Sequence, residues 1–266
     1  MAVDFSKFKK KAEKKLPILF LVEENSEGQV SRGLVTNILN ACQCKKICTE
    51  FMLFSYGLEE WTLKFPKLNN NAPYFADLEG IKLDDIWRII GEIESSKQTF
   101  LGSALDVSKD ILDDPDTTKS GRYKPVVIII ASKLPTQGWE GSFYNLLNNG
   151  RSSNAQIYWL YKNTCFAFTK VLDSLSSSNY ITYVTYNTES PKIRKIESNK
   201  PIKRFEKVDV NNIGSSFFSN LAQEIVSSFK LEPLKDAPAQ DPVVFTTPGF
   251  DGEFGDGTEA KGDGIV

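Results

Sequence analysis

The chain has 266 residues, 41% of them hydrophobic and 12% aromatic, enough for one large domain or a domain with extensions. Its charges nearly cancel, 32 basic against 34 acidic, so no overall field favours nucleic acid. It contains no histidine, which excludes Ser-His-Asp and Cys-His catalysis, HExxH metalloproteases and every zinc site that needs imidazole.

The first residues carry Lys7, Lys9, Lys10, Lys11, Lys14 and Lys15 and read as a basic extension over 1–15. They lack the apolar segment and small-residue cleavage site of a signal peptide. No apolar run approaches the roughly 20 residues of a membrane span, so the expectation is a cytoplasmic protein without a membrane partner.

Ile18 to Val22 is a continuous apolar run suited to a strand buried on both faces. It stops at the polar cluster Glu23, Glu24, Asn25, Ser26 and Glu27, and Gly28 hands over to a helical stripe of Val30, Leu34, Val35, Ile38 and Leu39. Ile47 to Ser55 reads as a second strand. After a turn at Tyr56-Gly57, Trp61 to Phe65 reads as an antiparallel edge partner. Helical stripes follow at Leu83–Ile93 and at Leu101, Leu105, Val107, Ile111 and Leu112, separated by a polar break from Glu94 to Gln98.

Val126 to Ile130 holds five β-branched residues and no charge, and it too ends in a polar loop, Ser132 to Trp139. It is expected to lie beside Ile18–Val22 at the centre of the sheet. A short helix on Phe143, Leu146 and Leu147 comes next, then a strand at Ala155–Tyr161, a helix at Phe168–Leu175 and a strand at Tyr180–Tyr186. Asn187 to Lys207 reads as a long loop or a peripheral hairpin, and Phe217 to Phe229 as a closing amphipathic helix. Strands alternating with helices indicate an α/β fold, a doubly wound and mostly parallel central sheet with one antiparallel edge strand. Ligands of such sheets sit outside the carboxyl ends of the strands, where the polar loops are.

From about Pro233 the composition turns Pro- and Gly-rich and acidic. The division expected is an extension over 1–15, a domain over 16–231 and a tail over 232–266. The tail does not match the calcium-binding loop of an EF-hand, and the chain has no Gly-x4-Gly-Lys-Ser/Thr phosphate loop. Phe245, Thr246, Thr247 and Phe250 belong to an apolar island in it, a candidate strand for docking a partner. Cys42, Cys44, Cys48 and Cys165 read as reduced thiols; Cys-x-Cys-x3-Cys is not a zinc-finger spacing, and Cys44 and Cys48 share a helix face only if the helix reaches both.

In order, these pieces resemble a von Willebrand factor type A domain, most like the bacterial TerY-like branch linked to tellurium resistance. The first strand and its polar loop fall where that family has Asp-x-Ser-x-Ser. Gln98 to Leu105 is similar to its Gly-Gly-Thr-x-Leu-Gly-x-Ala-Leu, and Val126 to Trp139 to its apolar strand followed by Thr-Asp-Gly-x-Pro-Thr-Asp-x-Trp. Ser215 to Phe218 resembles the TerY-like close. The resemblance implies a metal-ion-dependent adhesion site with Glu23 at the first Asp, Asn25 and Glu27 at the two Ser positions, Thr99 retained and Ser132 at the second Asp. Octahedral Mg2+ demands near-ideal oxygen ligands at about 2.1 Å, so these replacements imply a degenerate site with no metal or weak Mg2+.

The resemblance therefore implies a non-catalytic adaptor or scaffold, with protein partners that include a protein kinase and a phosphatase of a bacterial stress or phage-defence system. An enzyme using the carboxylates Glu23, Glu24 and Glu27 on a small substrate is the alternative. Nucleic-acid binding ranks last, because the basic stretches lack interleaved aromatics.

Overall fold

A computed structural model describes residues 14–24, 28–57, 61–67, 73–96, 98–115, 121–132, 135–136, 138–161, 181–185, 194–197, 203–204 and 215–234. The two apolar runs form its central strands. β1 (Leu16–Glu23) and β2 (Thr49–Tyr56) are buried along their whole length, and so is β5 (Val126–Ala131). β1 pairs in parallel with β2 on one side and with β5 on the other, with Ile18 opposite Val126 and Val22 opposite Ile130. Two parallel neighbours satisfy every ladder group of β1, and that is what an uninterrupted apolar run needs.

The sheet continues through β6 (Gln156–Tyr161) and β7 (Ile181–Thr185), both parallel. At the β2 edge, β3 (Thr62–Phe65) and the short β4 (Ala76–Asp77) are antiparallel to β2. At the far edge β8 (Arg194–Glu197) and β9 (Lys203–Arg204) run antiparallel, so the described part of the 187–207 stretch forms a hairpin rather than a loop. Strand order is β3-β2-β1-β5-β6-β7-β8-β9, with β4 beside β2. The chain leaves β1 for β2 and later returns to β5 on the opposite side, which puts a topological switch point between β1 and β5.

Alternate side chains of the central strands feed two cores. Ile18, Phe20, Val22, Phe51, Ile128 and Ile130 face α1 (Gly28–Cys44), α2 (Leu83–Gly91) and the closing helix α5 (Ser215–Ser228). Leu19, Leu21, Phe54, Val127 and Ile129 face α3 (Leu101–Asp113) and α4 (Trp139–Asn148). Each such Leu, Ile or Phe side chain contributes roughly 1.5–3 kcal/mol by leaving water. α4 starts earlier than its apolar stripe suggests. Trp139, read from sequence as part of a polar loop, opens the helix and is buried against Phe143 and Trp159 at 5.9 and 5.4 Å. Gly138 caps that start at φ 98°, in the left-handed region that favours glycine.

α1 ends at Cys44, so Cys48 lies beyond it and the two thiols share no helix face. Cys42, Cys44 and Cys48 are free thiols, and burial pushes Cys42 up to about 12. The expected helix at 168–175 lies outside the described residues. Among them no helix is long and apolar enough to cross a membrane.

The amino ends of the strands are held by charge. Glu50, buried at the start of β2, is bridged by both arms of the Arg122 guanidinium. Lys15 bonds Asp77 at 2.5 Å, and its backbone pairs with Gly121 and Tyr123. The residues after α5 join the same place: Lys124 N–H donates to Glu232 O at 2.8 Å and Leu234 N–H to Arg122 O at 3.0 Å. The sequence places the domain boundary after Leu231; the described backbone stays paired through Leu234.

Burial pushes the Glu50 carboxyl above its ordinary value, and Arg122 only partly offsets this. A raised carboxyl favours the native state below its unfolded pKa, about 4.3, and that contribution is lost as pH rises through the folded value. Arg122→Met leaves a buried carboxylate alone, so it should cost about 3 kcal/mol at pH 7 and clearly less at pH 4, where Glu50 is neutral. Denaturant melts of both proteins at the two pH values check this; an equal cost at both would contradict it. A chain ending after Leu231 should also melt below one ending after Lys235, because only the longer keeps the Glu232 and Leu234 bonds; calorimetric melts compare the two.

Candidate functional site

The switch point is closed by side chains at the carboxyl ends of the strands. Glu23, last in β1, is buried, and its Oε2 accepts a hydrogen bond from the Ser132 N–H just beyond β5. Glu24 continues the pairing with β2, its N–H donating to Tyr56 O at 2.9 Å. Its carboxylate accepts from Ser55 Oγ at 2.8 Å, and its carbonyl accepts the Ser96 N–H at 2.9 Å.

Thr99, just before α3, is buried. Its N–H donates to Thr136 Oγ1 at 3.2 Å, the Thr136 N–H donates back to Thr99 O at 2.8 Å, and the Phe100 N–H reaches Gly57 O at 2.9 Å. The first loop is thus tied to the β5 loop, the β5 loop to the segment before α3, and that segment to the first loop. Each bond contributes only about 0.5–1.5 kcal/mol, but a closed circuit shares its strain and holds the loops in one arrangement. On the opposite side, the Tyr56 hydroxyl donates to Ile130 O at 3.2 Å and locks β2 against β5 beneath the loops.

Of the residues singled out in sequence, Glu23, Thr99 and Ser132 lie on these three connected segments. Asn25 and Glu27 lie outside the described residues, as do the tail positions Phe245, Thr246, Thr247 and Phe250. Sequence reading passed over the residues that hold the circuit: Ser55, Gly57, Ser96 and Thr136. Thr136 stands in the Pro135-Thr136 pair that carries the resemblance, so a signal for it existed. Ser55, Gly57 and Ser96 give none, because their partners are distant in the chain.

Both described carboxylates serve the protein's own loops, Glu23 through the Ser132 amide and Glu24 through the Ser55 hydroxyl. Beyond them the described donors are hydroxyls, Thr99 and Ser132. Among the described residues no group of three or more Cys, Asp or Glu side chains is placed to hold a metal ion.

The sequence matches no family model and no curated protein. Solved structures do resemble the fold. A von Willebrand factor type A protein from Catenulispora acidiphila superposes with a TM-score of 0.52 at 8% identity, over 80% of this chain and 42% of that one. Proximal thread matrix protein 1 from the mussel byssus gives 0.50 at 12% identity, over 81% and 48%. The pilus adhesin SpaC from Lactobacillus rhamnosus GG, in its open conformation, gives 0.51 at 9% identity, over 81% and 30%. This chain spans less than half the length of each. Identity at this level shows the fold alone, and the fold is that of a von Willebrand factor type A domain.

Gly57 is the steric key to the circuit. A Cβ there would lie 1.9 Å from Glu24 Oε2 and 2.9 Å from Glu24 Cβ, so more than the tip of that side chain would have to move. Gly57→Ala should therefore break the Ser55–Glu24 bond and cost about 2 kcal/mol. Thermal melts measure the cost, and loss of amide protection at Ser96 and Phe100 in hydrogen exchange reports the loosened loops; unchanged protection would contradict this role.

Proposed function

We propose, from a von Willebrand factor type A fold whose strand-end loops are bonded into one platform, that this chain is a non-catalytic domain that binds other proteins through those loops. One observation carries the reading. Among the described residues the polar groups at the switch point hold the loops to each other, Ser55 with Glu24, the Ser132 amide with Glu23 and Thr99 with Thr136. Glu23 and Glu24 are committed in the same way, which takes support from acid/base chemistry on a small substrate. A pilus adhesin among proteins of this fold is in keeping with an interaction role, as analogy of fold only.

Divalent metal has little part in this reading. An octahedral Mg2+ shell needs several hard, correctly spaced oxygens, and the described carboxylates and several of the described hydroxyls, Glu23, Glu24, Ser55 and Thr136, are bonded to the protein's own loops. We read the adhesion site as degenerate, on the replacement of Asp and Ser by Glu23, Asn25, Glu27 and Ser132. The TerY-like close at Ser215–Phe218 extends the proposal to a cytoplasmic adaptor in a bacterial stress or defence system, with a protein kinase and a phosphatase as partners. Three free thiols favour a reducing compartment.

Affinity capture from the native host with the full chain, set beside Thr136→Ala, tests the reading. Loss of the Thr136 hydroxyl removes one bond, about 1 kcal/mol, and should loosen the platform without unfolding it. Capture of a defined protein set by the parent and at least tenfold less by the variant is the expected result. Equal capture by both would sink the loop assignment. Calorimetry with Mg2+ and Mn2+ should show no micromolar binding, and a metal-dependent rise in melting temperature would overturn the reading of the site.

A further inference from the structure

Trp87 stands on the outside of α2. It is 42% exposed, although Ile86 and Ile90 of the same helix are buried. The ring is held nonetheless. Arg32 reaches it from the second turn of α1, the central carbon of its guanidinium 5.7 Å from the ring centroid. The same guanidinium packs on Gly91 so closely that a Cβ there would lie 2.0 Å from an Nη. The indole is therefore braced from the α1 side and leaves the rest of its surface to solvent. Trp is among the commonest anchors of protein interfaces, and an aromatic already fixed in place loses little freedom on binding.

The charges on the same helix indicate what covers it. Asp84, Asp85, Glu92 and Glu94 are exposed on or just after α2, against the cations Lys82 and Arg88. Arg88 bonds Asp85 at 3.0 Å, and the other three carboxylates enter none of the ion pairs among the described residues. Asp84 and Asp85 sit in the first turn, where a carboxylate suits the positive end of the helix dipole. Glu92 and Glu94 lie at the other end, where the dipole is negative and a cation would serve the helix better. Their placement works against the helix and in favour of a cationic partner.

Lysine and arginine answer both features at once. Their aliphatic stems lie on apolar surface while the charged heads stay in water, so a basic segment can cover the indole and carry its cations to the carboxylates. An acidic or phosphorylated segment meets like charge on the same face. An apolar centre with a charged rim is also the usual anatomy of a protein interface.

We propose that the outer face of α2, anchored by Trp87, docks a lysine- or arginine-rich segment of a partner protein. This face is separate from the strand-end loops and is tested with a defined peptide, so it and the interaction reading above stand or fall separately. The probe is a fluorescein-labelled short peptide of alternating lysine and alanine, titrated with the full chain at constant ionic strength and followed by anisotropy. A glutamate-alanine peptide of equal length is the control. Saturable binding of the lysine peptide alone is the expected result. Glu92→Lys combined with Glu94→Lys should weaken it about tenfold, as should Trp87→Ser, while Trp87→Phe keeps most of it. Asp106→Lys with Asp110→Lys, exposed on α3 across the sheet, should leave it unchanged. An equal loss there reports attraction to net charge alone and overturns the site. So does equal binding of the glutamate peptide, or no saturation by the lysine peptide. Sedimentation equilibrium of the chain by itself covers the other occupant: a dimer abolished by the Glu92 and Glu94 reversal would assign the face to a second copy and overturn the partner segment. Should Trp87→Ser fail to fold, the charge reversal decides alone.

Discussion

The hydrogen bond from the Ser132 N–H to the Glu23 carboxylate joins the ends of two parallel strands that have no covalent link near them. Parallel strands in register finish together, and where the order of the sheet reverses their loops diverge and leave a crevice. A buried carboxylate at the last position of β1 bridges that crevice from inside. The backbone bonds of Glu24 to Tyr56 and Ser96, and those between Thr99 and Thr136, are then all anchored to one fixed point. The amide bond occupies one oxygen of that carboxylate and fixes where the side chain lies.

The two ends of the sheet solve opposite problems. At the amino ends charges are paired, Glu50 with Arg122 in the interior and Lys15 with Asp77 at the surface, and the closing backbone of Glu232–Leu234 is stitched to Arg122 and Lys124. At the carboxyl ends hydroxyls and amides do the tying, onto the carboxylates of Glu23 and Glu24 and onto backbone carbonyls. Surfaces that work by recognition need groups whose partners lie in another molecule, whereas surfaces that only hold a fold together need none.

Much of the architecture was legible in the chain. Ile18–Val22 and Val126–Ile130 are uninterrupted β-branched and apolar runs, and only a strand with neighbours on both sides and helices on both faces buries such a run, so their adjacency follows. The stripes of α1, α2, α3 and α5 follow from helical periodicity in the same way. At the site, Glu23 was legible as the polar end of an apolar run, whereas Thr99 and Ser132 stood out only through the resemblance of their segments to von Willebrand factor type A motifs. Trp139 misled for the complementary reason: it sits next to polar loop residues, and only its packing on Phe143 and Trp159 reveals it as core.

By itself, then, the sequence determined the layering, the central strands and the end of the sheet at which loops gather, because periodicity and burial are local properties of a chain in water. Only the tertiary structure decided the pairings. Ser132 meets Glu23, Arg122 meets Glu50, and Gly57 makes room for Glu24, across separations that leave no trace in local pattern. It also decided which polar groups are consumed by the fold. Hydrogen bonding is directional and short-ranged, so satisfaction is settled only once distant residues have been brought within about 3 Å.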